Sequence, residues 1–301
     1  MQRHLLYLPF ALQIFGVMAI SMIVPSLYAL VTEQFFEARM FFYTGLLGVT
    51  FLALIGLARS NQTTRETALD QMLSLALIFV FLPVFLAIPE YSVIRTTSFL
   101  NAYLDMVSAL TTTGFEVFPA RRLSDSVHLW RALVGWMGGV LIWVAAVAIL
   151  APLNLGGFEL TAQHANARRQ ANFISTSERK LFLLRSAQTL MPLYIGLTGP
   201  LWLGFILSGA SGYSGFIFAL SVLSTSGITA YQGVVGLSSG IWAEVLIVIF
   251  FTLALSRVFW APEKTTGFAK GFLRDAELRL AIWIAILLSC VLFIKQVASS
   301  T

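Results

Sequence analysis

The chain has 301 residues, of which 58% are hydrophobic and only 11% are charged, and its formal net charge is +5. Because soluble domains carry about 25% charged residues, this composition excludes a water-soluble fold and indicates a polytopic membrane protein. The single cysteine, Cys290, excludes a disulfide within the chain.

Seven apolar runs are long enough to cross the hydrocarbon core of a bilayer, which takes about 20 residues. In chain order they are 5–31, 40–58, 72–89, 129–151, 187–208, 240–260 and 279–297. Two further segments, near 98–110 and 213–223, are too short to cross and predict re-entrant helices. The predicted fold is an all-α integral membrane protein. It has an N-terminal transmembrane hairpin, two repeats of helix, re-entrant pore helix and helix, and one further transmembrane helix.

Each short segment leads into a run of hydroxyl side chains that ends in glycine. The two runs, named the first and the second hydroxyl loop, are Thr111, Thr112, Thr113 and Gly114, and Ser224, Thr225, Ser226 and Gly227. Their glycines are 113 residues apart, and the same offset superposes Ser108 on Ser221. We interpret the two segments as an internal repeat.

Loops of this composition suit a cation pathway. Irregular backbone at membrane depth is tolerated only where protein buries it or where it lines water. Glycine adopts backbone angles closed to other residues, and rings of backbone carbonyls can replace the hydration shell of a monovalent cation. The alternative is ordinary turn composition at a membrane surface. Two runs in matched contexts favour the ion-binding interpretation, in which all eight loop residues supply carbonyl ligands.

The basic residues are distributed unequally between the two sides of the membrane. If the N-terminus is cytoplasmic, thirteen of the nineteen Lys and Arg residues fall on the inner side, as the positive-inside rule requires. This orientation places both hydroxyl loops near the outer face. It also explains the positive net charge without nucleic acid as a partner.

Asp105, in the first short helix, and Arg131, near the outer start of the following span, are candidates for an intramembrane ion pair. Ionisable residues inside the membrane are rare and usually pair, and the guanidinium fork suits a carboxylate. We predict a salt bridge that clamps the short helix against the span and holds the first hydroxyl loop in place. In the alternative, Arg131 reaches the membrane interface and Asp105 bonds local backbone amides.

Three glycines at positions 135, 138 and 139 lie on the fourth apolar run. Small residues let another backbone come close, so these glycines serve either helix packing or ion passage.

The sequence indicates no enzyme. His4, His128 and His164 are scattered, so a zinc site is unsupported, and neither a nucleophile elbow nor a phosphate-binding loop is present. Asp105 and Glu116 stand on opposite sides of the first hydroxyl loop and suggest no acid–base pair. We expect no covalently bound cofactor.

The residues around the first hydroxyl loop resemble a known family. The stretch 105–114, followed by Leu129-Trp130-Arg131 and the glycine pair at 138–139, resembles the first pore repeat of TrkH-type potassium uptake proteins, in the Trk/Ktr/HKT superfamily of cation transporters. The stretch 220–227 resembles that family's second repeat, and 274–279 is similar to the approach to its third. The two N-terminal spans match the extra hairpin that TrkH members carry.

The resemblance implies four repeats around one potassium pathway, each giving one filter glycine, with a gating loop in the third repeat. It further implies K+ as the transported ion at the hydroxyl loops, a homodimer, and a cytosolic nucleotide-binding regulator of the TrkA type. The expected location is the bacterial inner membrane. Glycine at both filter positions fits potassium, because sodium-preferring variants would be expected to carry serine at the first.

On this pattern the chain divides into five segments. They are an N-terminal hairpin (1–68), a first pore repeat (69–160), a cytoplasmic linker (161–186), a second pore repeat (187–262), and a linker with the first helix of an incomplete third repeat (263–301). The expected function is potassium uptake as the ion-translocating subunit or its first half. The other two filter loops would come from a C-terminal half or a second chain.

The chain would then be a fragment, half of a split gene or a truncated homologue. The alternative function is a non-conducting membrane subunit that assembles with, or modulates, a complete transporter.

Overall fold

The computed structural model describes residues 10–58, 68–146, 176–230, 240–255, 279–280 and 282–284. These residues contain helices and loops but no strand, which confirms the predicted all-α class. In chain order the helices are α1 (Phe10–Ser21), α2 (Ile23–Val31), α3 (Phe35–Ala58), α4 (Ala68–Ile94), α5 (Phe99–Leu110), α6 (Asp125–Ala145), α7 (Thr176–Leu207), α8 (Gly212–Ser224) and α9 (Gly240–Leu255). A 3₁₀ turn, Ala120–Arg122, precedes α6.

Five stretches of the described residues are long and apolar enough to cross a membrane. They are Ala11–Val31, Phe35–Ala58, Leu73–Ile94, Asp125–Ala145 and Leu190–Leu207, and they confirm the first five predicted runs. Helices α5 and α8, with 12 and 13 residues, are too short to cross, as predicted. The end of the sixth predicted run (240–260) and most of the seventh (279–297) lie outside the described residues.

Two helices extend beyond the apolar runs that predicted them. Helix α4 continues through Pro83 and Pro89 to Ile94, and α7 begins at Thr176, inside the segment predicted as a linker. The first span, in contrast, is broken at Met22. Pro25 explains the break, because it has no N–H to donate to the carbonyl four residues earlier.

Helix α6 lies at the centre of the described structure. It packs against α5, α8, α2 and α7, and 78% of its span is buried, compared with 22–39% for the other four spans. The fully buried indole of Trp130 shows how α6 is held, because its Nε1 donates to the Leu86 carbonyl on α4 at 3.1 Å. Its ring also meets Phe41 of α3 edge to face, with centroids 5.9 Å apart.

The outward face of α3 is apolar. Leu47, Leu54 and Leu57 are each more than half exposed on it. A contiguous apolar surface of this kind fits contact with lipid.

Candidate functional site

The two short helices, α5 and α8, begin in the same way. Ser98 caps α5 by accepting from the Asn101 N–H at 3.3 Å, and Ser211 caps α8 by accepting from the Ser214 N–H at 3.1 Å. A serine oxygen at this position satisfies a backbone donor that the first helical turn leaves free. Both capping pairs obey the offset of 113 residues that relates the two hydroxyl loops, so the repeat extends back to the helix starts.

The two hydroxyl loops share one backbone conformation. In the first, Thr112 and Gly114 have φ of 55° and 69°; in the second, Thr225 and Gly227 have φ of 54° and 68°. Positive φ is uncommon for residues other than glycine. The same strained angle at matched threonines indicates that the surrounding helices hold both loops in place.

The hydrogen bonds inside the loops repeat as well. The Thr113 N–H donates to the Ser108 carbonyl at 2.9 Å, and the Ser226 N–H donates to the Ser221 carbonyl at 3.1 Å. The hydroxyls at the first and third loop positions also bond each other: Thr111 to Thr113 at 2.8 Å, and the equivalent serines, 224 and 226, at 2.9 Å. The hydroxyl side chains therefore brace their own loops.

The structure brings the two hydroxyl loops into contact. A Cβ added to Gly114 would overlap the carbonyl oxygen of Ser226 and would lie 3.8 Å from the Gly227 Cα. Gly114 thus combines a left-handed φ with a backbone approach that leaves no room for a side chain. A Cβ on Gly227, in contrast, would meet no described atom within 4 Å.

The three glycines of α6 lie against the C-terminal ends of α5 and α8. A Cβ on Gly138 would overlap the Leu110 carbonyl oxygen at the end of α5, and one on Gly139 would lie 3.1 Å from the Ser224 Cα at the end of α8. Gly135 lies between them, with its Cβ position 3.3 Å from the Ser226 Oγ and 3.5 Å from the Ala109 carbonyl. Close packing therefore favours a small residue at all three positions, most clearly at Gly138, where the neighbouring atoms are all backbone.

The structure also brings Asp105 and Arg131 together. The Arg131 Nε lies 2.6 Å from the Asp105 Oδ2, and the Arg131 Nη2 donates to Oδ1 at 3.1 Å. Both side chains are buried, at 0% and 2% exposure. The Val117 N–H, on the segment that leaves the first hydroxyl loop, donates to the same Oδ1 at 3.3 Å. Asp105 therefore connects α5, the segment that follows the first hydroxyl loop, and α6.

A third ionisable group, which the sequence reading left aside, lies beside this pair. Glu90 of α4 is fully buried, and α4 packs against α5, the helix that carries Asp105. The sequence did contain a signal for Glu90, which is an acidic residue directly after the third apolar run. Ionisable residues at membrane depth usually have a partner, so Glu90 could have been considered together with Asp105 and Arg131.

The N-terminal hairpin contacts the N-terminal ends of α6 and α8. Glu37, at the start of α3, accepts from the hydroxyls of Ser124 (2.6 Å) and Ser126 at the start of α6. The Tyr213 hydroxyl of α8 donates to the Asp125 carbonyl at 2.5 Å, and its ring stacks on Tyr28 of α2, with centroids 5.1 Å apart. Both repeats are therefore fastened to the hairpin.

Comparison with known proteins gives the following relationships. No protein-family model matches the chain. The chain is 30% identical over 150 residues to the Trk system potassium uptake protein TrkI of Halomonas elongata, which is 50% of this chain and 28% of that protein. It is 22% identical over 287 residues to the Trk system potassium uptake protein TrkH of Escherichia coli strain K12, which is 93% of this chain and 58% of that protein.

The structure is similar to the crystal structure of the potassium transporter TrkH from Vibrio parahaemolyticus, with a TM-score of 0.74 and 22% identity. The superposition covers 98% of this chain and 59% of the TrkH chain. The chain is similar to the TrkH-type potassium uptake proteins. The TrkH-like chain thus shares the fold of that transporter, and it spans less than two thirds of the length of these TrkI and TrkH proteins.

Proposed function

We propose that the chain contributes to a potassium pathway across the membrane, as the ion-translocating subunit or the first half of it. One observation carries the proposal: two loops with the same backbone angles and internal hydrogen bonds meet at Gly114 and Ser226. Loops of this type can present backbone carbonyls to a cation in place of water. The names of the TrkH and TrkI relatives, which are potassium uptake proteins, supply the choice of ion.

The helix ends add favourable electrostatics. Helix α5 ends at Leu110 and α8 at Ser224, directly at the two hydroxyl loops. The C-terminal end of a helix carries a partial negative charge of about half an elementary charge. Two such ends beside the loops favour a cation over an anion.

The proposed setting is the bacterial inner membrane, with the N-terminus in the cytoplasm and the hydroxyl loops near the outer face. The distribution of Lys and Arg supports this orientation. The resemblance to TrkH-type proteins supports the proposed partners: a homodimer, a cytosolic TrkA-type nucleotide-binding regulator, and two further filter loops from a C-terminal half or a second chain.

The test is potassium and sodium uptake by potassium-uptake-deficient bacteria that carry the chain in its native genetic context. Gly227→Ser is the most informative variant, because no described atom lies within 4 Å of the Cβ position and the variant protein should assemble. We expect a lower ratio of potassium to sodium uptake, since serine disfavours the left-handed angle that shapes the loop. Gly114→Ser should lower the ratio too, together with the amount of folded protein.

Gly196→Ser is the matched control, because Gly196 lies inside α7 with open space around it and an ordinary helical conformation. An uptake ratio that is the same in Gly227→Ser and Gly196→Ser would contradict the filter assignment. If uptake required the chain but kept its ion preference in both loop variants, the chain would instead be a non-conducting subunit.

A further inference from the structure

Glu90 lies in a position where an ionised carboxylate is unfavourable. Its side chain is fully buried in α4, and no donor from the described part of the chain bonds either of its oxygens. Helix α4 packs against α5 and also contacts α6, and the charged side chains that act on Glu90 from these two helices are Asp105 and Arg131. Glu90, Asp105 and Arg131 therefore form one buried cluster, named the carboxyl–arginine cluster.

Arg131 is already engaged by one of the two carboxylates. Its Nε and Nη2 both contact Asp105, and no Glu90 oxygen lies within ion-pair distance of it in the described structure. With both carboxylates ionised, the cluster would hold two negative charges and one positive charge. An uncompensated charge buried at membrane depth is strongly unfavourable, and two carboxyl groups that share a site retain a proton between them.

The hydrogen bonds decide which carboxyl holds that proton. Asp105 accepts from Arg131 and from the Val117 N–H, and these bonds are strongest to an ionised carboxylate. Glu90 accepts from no described donor, so a proton on Glu90 costs no existing bond. A protonated Glu90 can also donate its O–H to Asp105.

We infer that Glu90 is a positioning residue that stays protonated and donates an O–H hydrogen bond to the Asp105 carboxylate, so that the carboxyl–arginine cluster is electrically neutral. The cluster then fastens α5 to α4 on one side and to α6 on the other. Because α5 leads directly into the first hydroxyl loop, Glu90 helps to fix the position of that loop through its hydrogen bond to Asp105. This inference concerns the protein alone and does not depend on the transported ion.

The test is infrared spectroscopy of the purified protein in lipid nanodiscs at neutral pH. A protonated carboxyl has a C=O stretching band well separated from the bands of ionised carboxylates. We expect this band in the wild-type protein and its loss in Glu90→Gln. The control is Glu33→Gln, because Glu33 is exposed in the turn between α2 and α3, and this variant should retain the band.

Labelling the glutamate carboxyl carbons with ¹³C provides a second measurement that needs no variant. The band should shift on labelling of glutamate and stay in place on labelling of aspartate. A wild-type spectrum without the band, or a band that shifts only with aspartate, would overturn the inference.

Thermal unfolding separates the donor role from simple space filling. Glu90→Gln keeps an N–H donor toward Asp105 and should unfold near the wild-type temperature, whereas Glu90→Leu keeps the volume without the donor and should unfold at a clearly lower temperature. Equal unfolding temperatures for the Gln and Leu variants would show that Asp105 needs no donor from Glu90.

Discussion

Replacing the glycine of each hydroxyl loop with alanine tests whether the two loops meet as the structure shows. Gly114 and Gly227 have almost the same φ, 69° and 68°, so alanine pays the same conformational penalty at both positions. That penalty is about 1–2 kcal/mol for a residue with a Cβ in the left-handed region. The surroundings differ, because only the Cβ on Gly114 would overlap a neighbouring atom, the Ser226 carbonyl oxygen.

Forcing an extra methyl group into a packed site costs typically about 1–3 kcal/mol more. We therefore expect Gly114→Ala to lose about 2–5 kcal/mol of unfolding free energy and Gly227→Ala about 1–2 kcal/mol. Denaturant titration of the purified protein in mixed micelles, followed by tryptophan fluorescence, measures the difference between the two variants. Equal losses would refute the contact between the loops, and a larger loss for Gly227→Ala would show that the crowding lies at the second loop.

Three further predictions use the same unfolding measurement. Arg131→Ala leaves Asp105 buried without its partner and should cost about 3–5 kcal/mol, whereas the exposed Arg121→Ala should change stability little; similar effects would refute the clamp. Gly138→Ala drives a methyl group into the end of α5 and should cost about 1–3 kcal/mol, while Gly196→Ala, with open space around it, should be neutral or stabilising. Glu37→Ala removes the acceptor for two serine hydroxyls of α6 and should cost about 1.5–3 kcal/mol; an unchanged stability would show that the hairpin is not fastened there.

The elements that the sequence located well are those with a local signal. The short helices predicted at 98–110 and 213–223 are Phe99–Leu110 and Gly212–Ser224 in the structure. Serine caps, short apolar stretches and a terminal glycine all act within a few residues of the helix ends, so they can be read from the sequence alone. The five described spans follow from length and apolar composition for the same reason.

Helix ends beyond the apolar runs were harder to predict. The hydropathy pattern stopped the third run at Pro89, but α4 continues to Ile94, because a helix packed among neighbours tolerates proline. The pattern also missed the first 11 residues of α7, from Thr176 to Ser186. Hydropathy reports only the part of a helix that suits lipid, so a polar extension of the same helix gives no signal.

Contacts between distant segments were beyond the reach of the sequence. The pairing of Asp105 with Arg131 could be proposed, because the two are the rare charges near one short helix. Glu90 was overlooked, since its place in the cluster depends on how α4 lies against α5. The glycines of α6 suggested a close backbone approach, but only the fold shows that they receive the ends of both pore helices.

The burial of α6 bears on how the protein is inserted into the membrane. Among the five candidate spans, α6 is the least apolar and the most buried, and it carries the guanidinium of Arg131 in its N-terminal half. A helix of this composition inserts poorly into lipid by itself, because an arginine costs about 2.5–3.5 kcal/mol at the centre of a span on the insertion scale, and part of that cost applies nearer the end. Asp105 is synthesised first, on α5. We therefore expect α6 to leave the translocon already bound to α5, so that membrane insertion of α6 and assembly of the first pore repeat occur as a single step.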